Sequence, residues 1–452
     1  MKQLIFILLL VSISFQTFAQ VWHVSGTGND TNDGKSPETA LRSLQKAADV
    51  VEPGDVVMVG NGTYTNTDKS NGSAVLSIIR SGKADAWITW KARPGHRPEI
   101  RPIGWCGIQI SGSYHILDGL TVIGSNDSIV LLQAQEDAKK TTPDPYFNTN
   151  GIFFNGRNNK PSEKPHHLII RNCTVGKCPG GGIVGIEFDY LTVEDCKVYE
   201  NGWFMRYGGS GITTLNNWAF DDAPGYHVII QRNLVWNNKT LVPWERIGKL
   251  SDGNGILLDV TDQNQAQGAT NPNADAVVKP AENPTAAPEK PKRPEWTGRA
   301  LIANNLSAFN GGSGIHTFRT KHVDIINNTT YWNGQIVGYQ ELFPNRSDDI
   351  VILNNIIVPR PGGKVTSNNR NTNIRWDYNL YPVAQEVFVG PNDIVAEPQF
   401  VKVQTDVMQA DFRLQKGSKA LQTGSNQVAQ PTDLQKKKRP LEAGRDRGCY
   451  EQ

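Results

Sequence analysis

The sequence predicts an all-β chain, a single-stranded right-handed parallel β-helix with an N-terminal capping helix, and three observations predict it. Short β-branched runs that close on Asn or Asp recur at His167–Asn172, Tyr190–Asp195, His227–Asn233, Ala300–Asn305, Val323–Asn328 and Ile350–Asn355. Their closing positions lie 23, 38, 72, 23 and 27 residues apart, which is a unit of about 23 with loops inserted in some copies. A Gly-Ile pair stands upstream in most units, beginning at Gly107, Gly151, Gly182, Gly211, Gly255 and Gly314. Turn formers are abundant along the whole chain, Gly alone numbering 43, and helical periodicity is lacking in the repeating units. A period of 20–30 residues built from short strands means stacked coils. Leucine-rich repeats would show Leu at fixed offsets, and propeller blades need about twice the period.

The repeat has a physical basis. Equivalent positions of successive coils lie ~4.8 Å apart, so an Asn at each bend hydrogen-bonds to the next and tolerates the left-handed backbone there. Cys173 and Cys196 directly follow two of the closing positions and are expected to stack in the interior. Five cysteines are too few for a disulfide framework, so small buried hydrophobes are expected.

Residues 1–19 read as a secretory signal: Lys2 is the charged start, Leu4 to Phe15 the apolar run, and Ala19 the small residue at the cleavage position. Residues 20–90 are the N-terminal cap and first coil. Within them Ser36-Pro37 opens a helical period of Leu41, Leu44, Ala48 and Val51 that Pro53-Gly54-Asp55 ends. Residues 91–381 are the coils. A loop, 263–298, is inserted among them, rich in Pro, Ala, Asn, Glu and Lys and expected to be mobile. Residues 382–452 form the C-terminal closure, where the basic run Lys436–Arg439 is read as a solvated turn.

With 46 Lys+Arg against 44 Asp+Glu the formal charge is +2, which excludes a strongly basic nucleic-acid or membrane-surface protein. No long apolar stretch follows the leader. A monomer, secreted or periplasmic, is the expectation.

The opening Trp22–Asp30 with Asp33-Gly34, the Leu44–Ala48 helix and Pro53-Gly54-Asp55 with Asn61–Tyr64 resemble the N-terminal cap of secreted bacterial β-helix proteins of the pectin-lyase-like superfamily. These include polysaccharide lyase family 9 and several glycoside hydrolase families. Asp411–Leu414, Gly417-Ser418 and Asp446–Glu451 resemble their C-terminal segment, so the resemblance spans nearly the whole mature chain. It implies a β-helix acting on, or binding, a polysaccharide. Family 9 lyases use a lysine base and a calcium site of clustered aspartates with an Asp-Asp-Gly-type segment. Here Asp221-Asp222 is followed by Ala and Asp348-Asp349 by Ile, a departure from that pattern.

Aligning coils on Gly-Ile turns the repeat into a map. Four residues past the Gly stand Asn155, Ile186, Leu215, Asp259 and Phe318; one further stand Glu187, Asn216 and Arg319. Asp259, His316 and Arg319 are therefore expected on one face of neighbouring coils. Elimination from a uronate needs a general base and cationic neutralisation of the substrate carboxylate, often by Ca²⁺ on carboxylates. Arg319 and Lys321 with Asp252 and Asp259 would supply these, with His316 as proton donor. Asp252 and Asp259 are the expected calcium ligands. Hydrolysis instead needs two carboxylates, here Asp259 with Glu187, Asp252 or Asp222. Glu187, Trp203, Arg206, Tyr207 and Trp218 are expected to bind the sugar chain. The expected partner is an acidic polysaccharide, cleaved by a lyase or, alternatively, by a hydrolase; a non-catalytic glycan-binding protein is the third reading.

Overall fold

The computed structural model describes residues 19–66, 69–70, 73–261, 293–428, 430–440 and 444–452. The expected leader up to residue 18, and positions 263–292 of the expected loop, lie outside the described residues. The chain winds as a parallel β-helix. Among the described residues two sheets have eleven strands and one has eight; the central coils each add a strand to all three, and the terminal coils add none to the shorter one. One coil shows the pattern: Ile183–Ile186 in the eight-stranded sheet, Asp189–Glu194 in the first long sheet, Lys197–Tyr199 in the second.

The Gly-Ile register is the one the structure uses. Ile152, Ile183, Ile212, Ile256, Ile315 and Leu342 pair in succession across the eight-stranded sheet and point inward, fully buried. Glycine precedes isoleucine because successive coils pack backbone to backbone there. A Cβ on Gly182 would lie 2.6 Å from the Gly211 carbonyl oxygen.

The asparagines form a buried ladder. Asn233, Asn305, Asn328, Asn355 and Asn379 each pass backbone and side-chain N–H to the Oδ1 of the next, at 2.8–3.1 Å, as far as Asn379. Cys173 and Cys196 occupy the equivalent positions in earlier coils, buried with free thiols as expected. Asn172 and Asp195 belong one residue earlier, to the column of left-handed residues that includes Asn304, Asn327 and Asn354. A second ladder runs Asn201–Asn238–Asn310–Asn333 and ends on the carboxylate of buried Glu341.

The caps differ in detail from expectation. The N-terminal helix spans only Leu44–Ala48, with the Ser43 hydroxyl accepting from Lys46 N–H. The helix cannot begin at Ser36, because Leu41 bridges Val24 as a strand residue and Asp30 fixes the Arg42 and Ser43 amides. Near the C-terminus an antiparallel pair, Phe400–Lys402 with Asp411–Leu414, packs Phe400 and Phe412 against Tyr331 on the outer flank of the second long sheet. The run Lys436–Arg439 is not wholly a solvated turn. Arg439 is buried and its guanidinium pairs with Glu451 at 2.7 Å, since the closing segment folds back over it. Among the described residues no helix is long and apolar enough to cross a membrane.

Candidate active site

Loops that enter the eight-stranded sheet are long in the middle of the stack and rise as a wall along the edge where its strands begin, opposite residues such as Arg157, Asn216 and Arg319 that follow the strand ends. Between them lies a cleft of about 890 Å³. Its floor is the outward row of the sheet, including Gln109, Phe153, Val184, Thr213, Leu257 and His316. A second outward row runs through Asn155, Ile186, Leu215, Asp259, Phe318 and Asn345, in the order the Gly-Ile map predicts. Each strand then turns a corner on a left-handed residue: Glu187, Asn216, Val260, Arg319 and Arg346 have φ between 52° and 55°.

Asp259 closes the strand Ile256–Asp259, half-buried, and its Oδ1 has no hydrogen-bond partner. Burial pushes its carboxyl up to about 8; the Asp252 charge adds to this, and Arg319 and Arg293 only partly offset it. Asp252 precedes the same strand on a left-handed turn, and its Oδ2 accepts from the Ser251 hydroxyl at 3.0 Å. Burial pushes Asp252 up to about 6. The turn is set by backbone contacts across the coil, Gly253 N–H donating to the Gly209 carbonyl at 2.8 Å.

Gly208 holds the space for that carboxylate. Its φ is +74°, and a Cβ there would sit 2.4 Å from Asp252 Oδ2. Gly208→Ala is expected to displace Asp252 and lower turnover roughly 10- to 100-fold while the fold survives, because small misplacements of a reacting group cost that much. Turnover beside a thermal melt checks it; unchanged turnover would remove Asp252 from the chemistry.

His316 lies one strand on from Leu257, only 6% exposed. Its ring stacks on Phe343 at 4.6 Å and meets Tyr339 and Phe318 edge-on. Neither ring nitrogen has a partner. Burial drives its pKa down to about 3, so the imidazole stays neutral. Arg319, also buried, carries its guanidinium 5.3 Å over the Phe318 ring. Its Nε and Nη2, the edge that grips a carboxylate side-on, lack partners. Burial and the neighbouring Arg346 lower its pKa. A buried polar atom left unpaired costs about 1–3 kcal/mol, and here such atoms converge on one cleft.

The structure thus brings Asp252, Asp259, His316, Arg319 and Tyr207 together. It does not bring the other expected residues there. Lys321 lies beyond the corner, at the start of Lys321–Ile326 in the first long sheet, with its ammonium 3.7 Å from Glu295. Glu187 pairs with buried Lys164 at 2.6 Å, which in turn covers the Trp218 ring at 4.5 Å. Trp203 donates to the Asn237 carbonyl and packs with Phe204, Ile129 and Val242. Arg206 is buried and paired with Glu245.

Sequence reasoning missed the aromatic wall. Trp105 faces Tyr207 at 6.2 Å, Trp244 and Tyr339 come from other loops, and Arg157 and Arg246 add exposed positive charge. Trp105 stands two residues before a Gly-Ile glycine and Arg157 two beyond Asn155, so the map held a signal for both. Nothing in the repeat marks Trp244 or Tyr339.

The expected calcium ligands do not fit that ion. Calcium takes 6–8 oxygens. Here two carboxyls with raised pKa share the cleft with a guanidinium, and among the described residues no three His, Cys, Asp or Glu side chains gather as a metal site.

A family profile described as the Pel9A-like, right-handed beta helix region matches residues 22–348. Among solved structures, the chain is similar to a pectate lyase Pel9A, with 17% identity over 96% of this chain and 97% of that one, at a TM-score of 0.54. It is also similar to a rhamnogalacturonan lyase, with 15% identity over 85% and 91% and a TM-score of 0.48. A lacto-N-biosidase of glycoside hydrolase family 136 from Eubacterium ramulus follows, with 12% identity over 80% and 56% and a TM-score of 0.44. No curated protein sequence matches the chain.

Proposed function

Because the chain belongs to the Pel9A-like right-handed β-helix family, we propose that it cleaves an acidic, uronate-containing polysaccharide by β-elimination in this cleft. The observation that carries the reading is the open side-on edge of buried Arg319. An arginine fork matches a carboxylate, and water removal strengthens the pairing. Neutralising the uronate carboxylate makes the C5 hydrogen more acidic. Asp252, ionised above about 6, then accepts that proton, and Asp259, protonated up to about 8, gives one to the leaving oxygen. The C5–H and C4–O bonds break and the C4=C5 bond forms. The two carboxyls titrate as a coupled pair, and the expected pH–rate profile is a bell with its maximum between those two values.

Glycosidic hydrolysis is the second reading, favoured by the same pair, since an ionised and a protonated carboxyl also suit a base and an acid. One assay separates them. Polygalacturonate, alginate and rhamnogalacturonan are incubated with the protein, and the ultraviolet absorbance of an unsaturated uronate is followed beside reducing ends. Absorbance rising with reducing ends is expected; reducing ends alone would overturn elimination in favour of hydrolysis. Arg319→Lys is expected to lose about 100-fold or more, because an ammonium lacks the fork. Arg319 takes the neutralising role otherwise given to calcium, so EDTA is expected to leave the rate unchanged; a loss restored by added calcium would refute this. Export by cleavage of the leader, and action as a monomer, belong to the same proposal, tested by the N-terminus and the sedimentation of the mature protein.

A further inference from the structure

The elimination leaves His316 without a task, although it lies in the same cleft. Its register partner is Leu257, so it stands one strand across and two residues back from Asp259, about 8 Å by strand geometry. Both line the same cleft. The imidazole is clamped by Phe343 and Tyr339, and both nitrogens are buried without partners. A neutral imidazole offers one donor and one acceptor. A carboxylate can only accept, whereas a sugar hydroxyl does both. We infer that His316 is a specificity-determining residue that reads a hydroxyl group on the sugar ring beside the cleaved bond, and that it moves no proton in the reaction. Its N–H is far too weak an acid for the donor role expected from the sequence, since burial keeps the ring neutral.

The substrate class rests on the cleavage reading, while the hydroxyl contact does not. The test compares His316→Phe, which keeps a ring on Phe343 but removes both nitrogens, with His316→Gln, which keeps a donor and an acceptor. On whichever uronate the wild type cleaves, His316→Phe is expected to lower kcat/KM about 10- to 100-fold through KM, with kcat and both limbs of the pH profile kept. His316→Gln is expected to recover most of this. A fall in kcat at constant KM with loss of one limb would overturn the inference and make His316 a proton-transfer group. A silent His316→Phe would overturn it too, leaving a packing residue. If the wild type cleaves no uronate, the cleavage reading alone fails, and retention in gels carrying polygalacturonate or neutral xylan decides. Retention weakened by Phe and restored by Gln supports hydroxyl reading; retention unaffected by Phe, or absent in the wild type, overturns it.

Discussion

Asp259→Asn is expected to abolish cleavage, by about 10²- to 10⁴-fold, while the protein folds and still binds its polysaccharide. Asn keeps the size of the side chain and removes the proton, and a positioned general acid contributes a factor of that order. The same substitution changes how stability depends on pH. The Asp259 carboxyl is raised to about 8 by burial. A raised pKa means that the folded state holds the proton more tightly than the unfolded one. The stability this contributes is complete below the ordinary carboxylate range and is lost as pH rises through about 8. A tenfold difference in proton affinity between the two states is worth about 1.4 kcal/mol, and because the side chain is partly solvated the total is at most a few kcal/mol. Asn has no such slope. Melting temperatures from about pH 5 to about pH 9 should therefore show the variant gaining on the wild type as pH rises. Parallel curves would mean that Asp259 is ionised throughout and is not the acid.

Asn328→Ala is expected to destabilise the stack by roughly 3–6 kcal/mol, a large part of a typical folding free energy. The Asn328 Oδ1 accepts from both the backbone and the side chain of Asn305, and its Nδ2 donates to the Ile302 carbonyl and to Asn355. Every one of these groups is in the dry interior, so alanine leaves each stranded without water to replace the lost amide. Asn172→Ala is the control. Asn172 is exposed, donates to Asp118, and stands in the left-handed column, so about 1 kcal/mol is expected there. Chemical denaturation of both variants checks the contrast, and equal losses would show that the ladder contributes no more than a surface turn.

The Gly-Ile map succeeded at Asp259 and His316 because both lie within strands of one register, where every coil repeats the same alternation of faces. It placed Arg319 correctly in the chain but not in kind: the residue is on the corner, not on the strand face. Two residues later the same counting fails outright, because the chain has turned into another sheet and Lys321 points to Glu295. Glu187 sits at the same corner as Arg319, yet buried Lys164 from the preceding coil neutralises it. Trp203, Arg206 and Trp218 lie on loops whose paths no repeat constrains, and there Trp203 donates to the Asn237 carbonyl, Arg206 pairs with Glu245 and Trp218 lies beneath the Lys164 ammonium. The second asparagine ladder was legible and unread, since Asn201, Asn238, Asn310 and Asn333 each stand five residues past a first-ladder position.

By itself the sequence determined the coil. Its Gly-Ile starts and Asn-closed strands carry local backbone demands, and repetition makes each local demand a global one. Only the tertiary structure decided which charged groups became a site. Asp259, His316 and Arg319 have each lost water without a partner for every polar atom and line one cleft together, and Asp252 beside them has only a serine hydroxyl to offset its burial. That loss is produced jointly by several coils and by loops far apart in sequence, and no single segment encodes it.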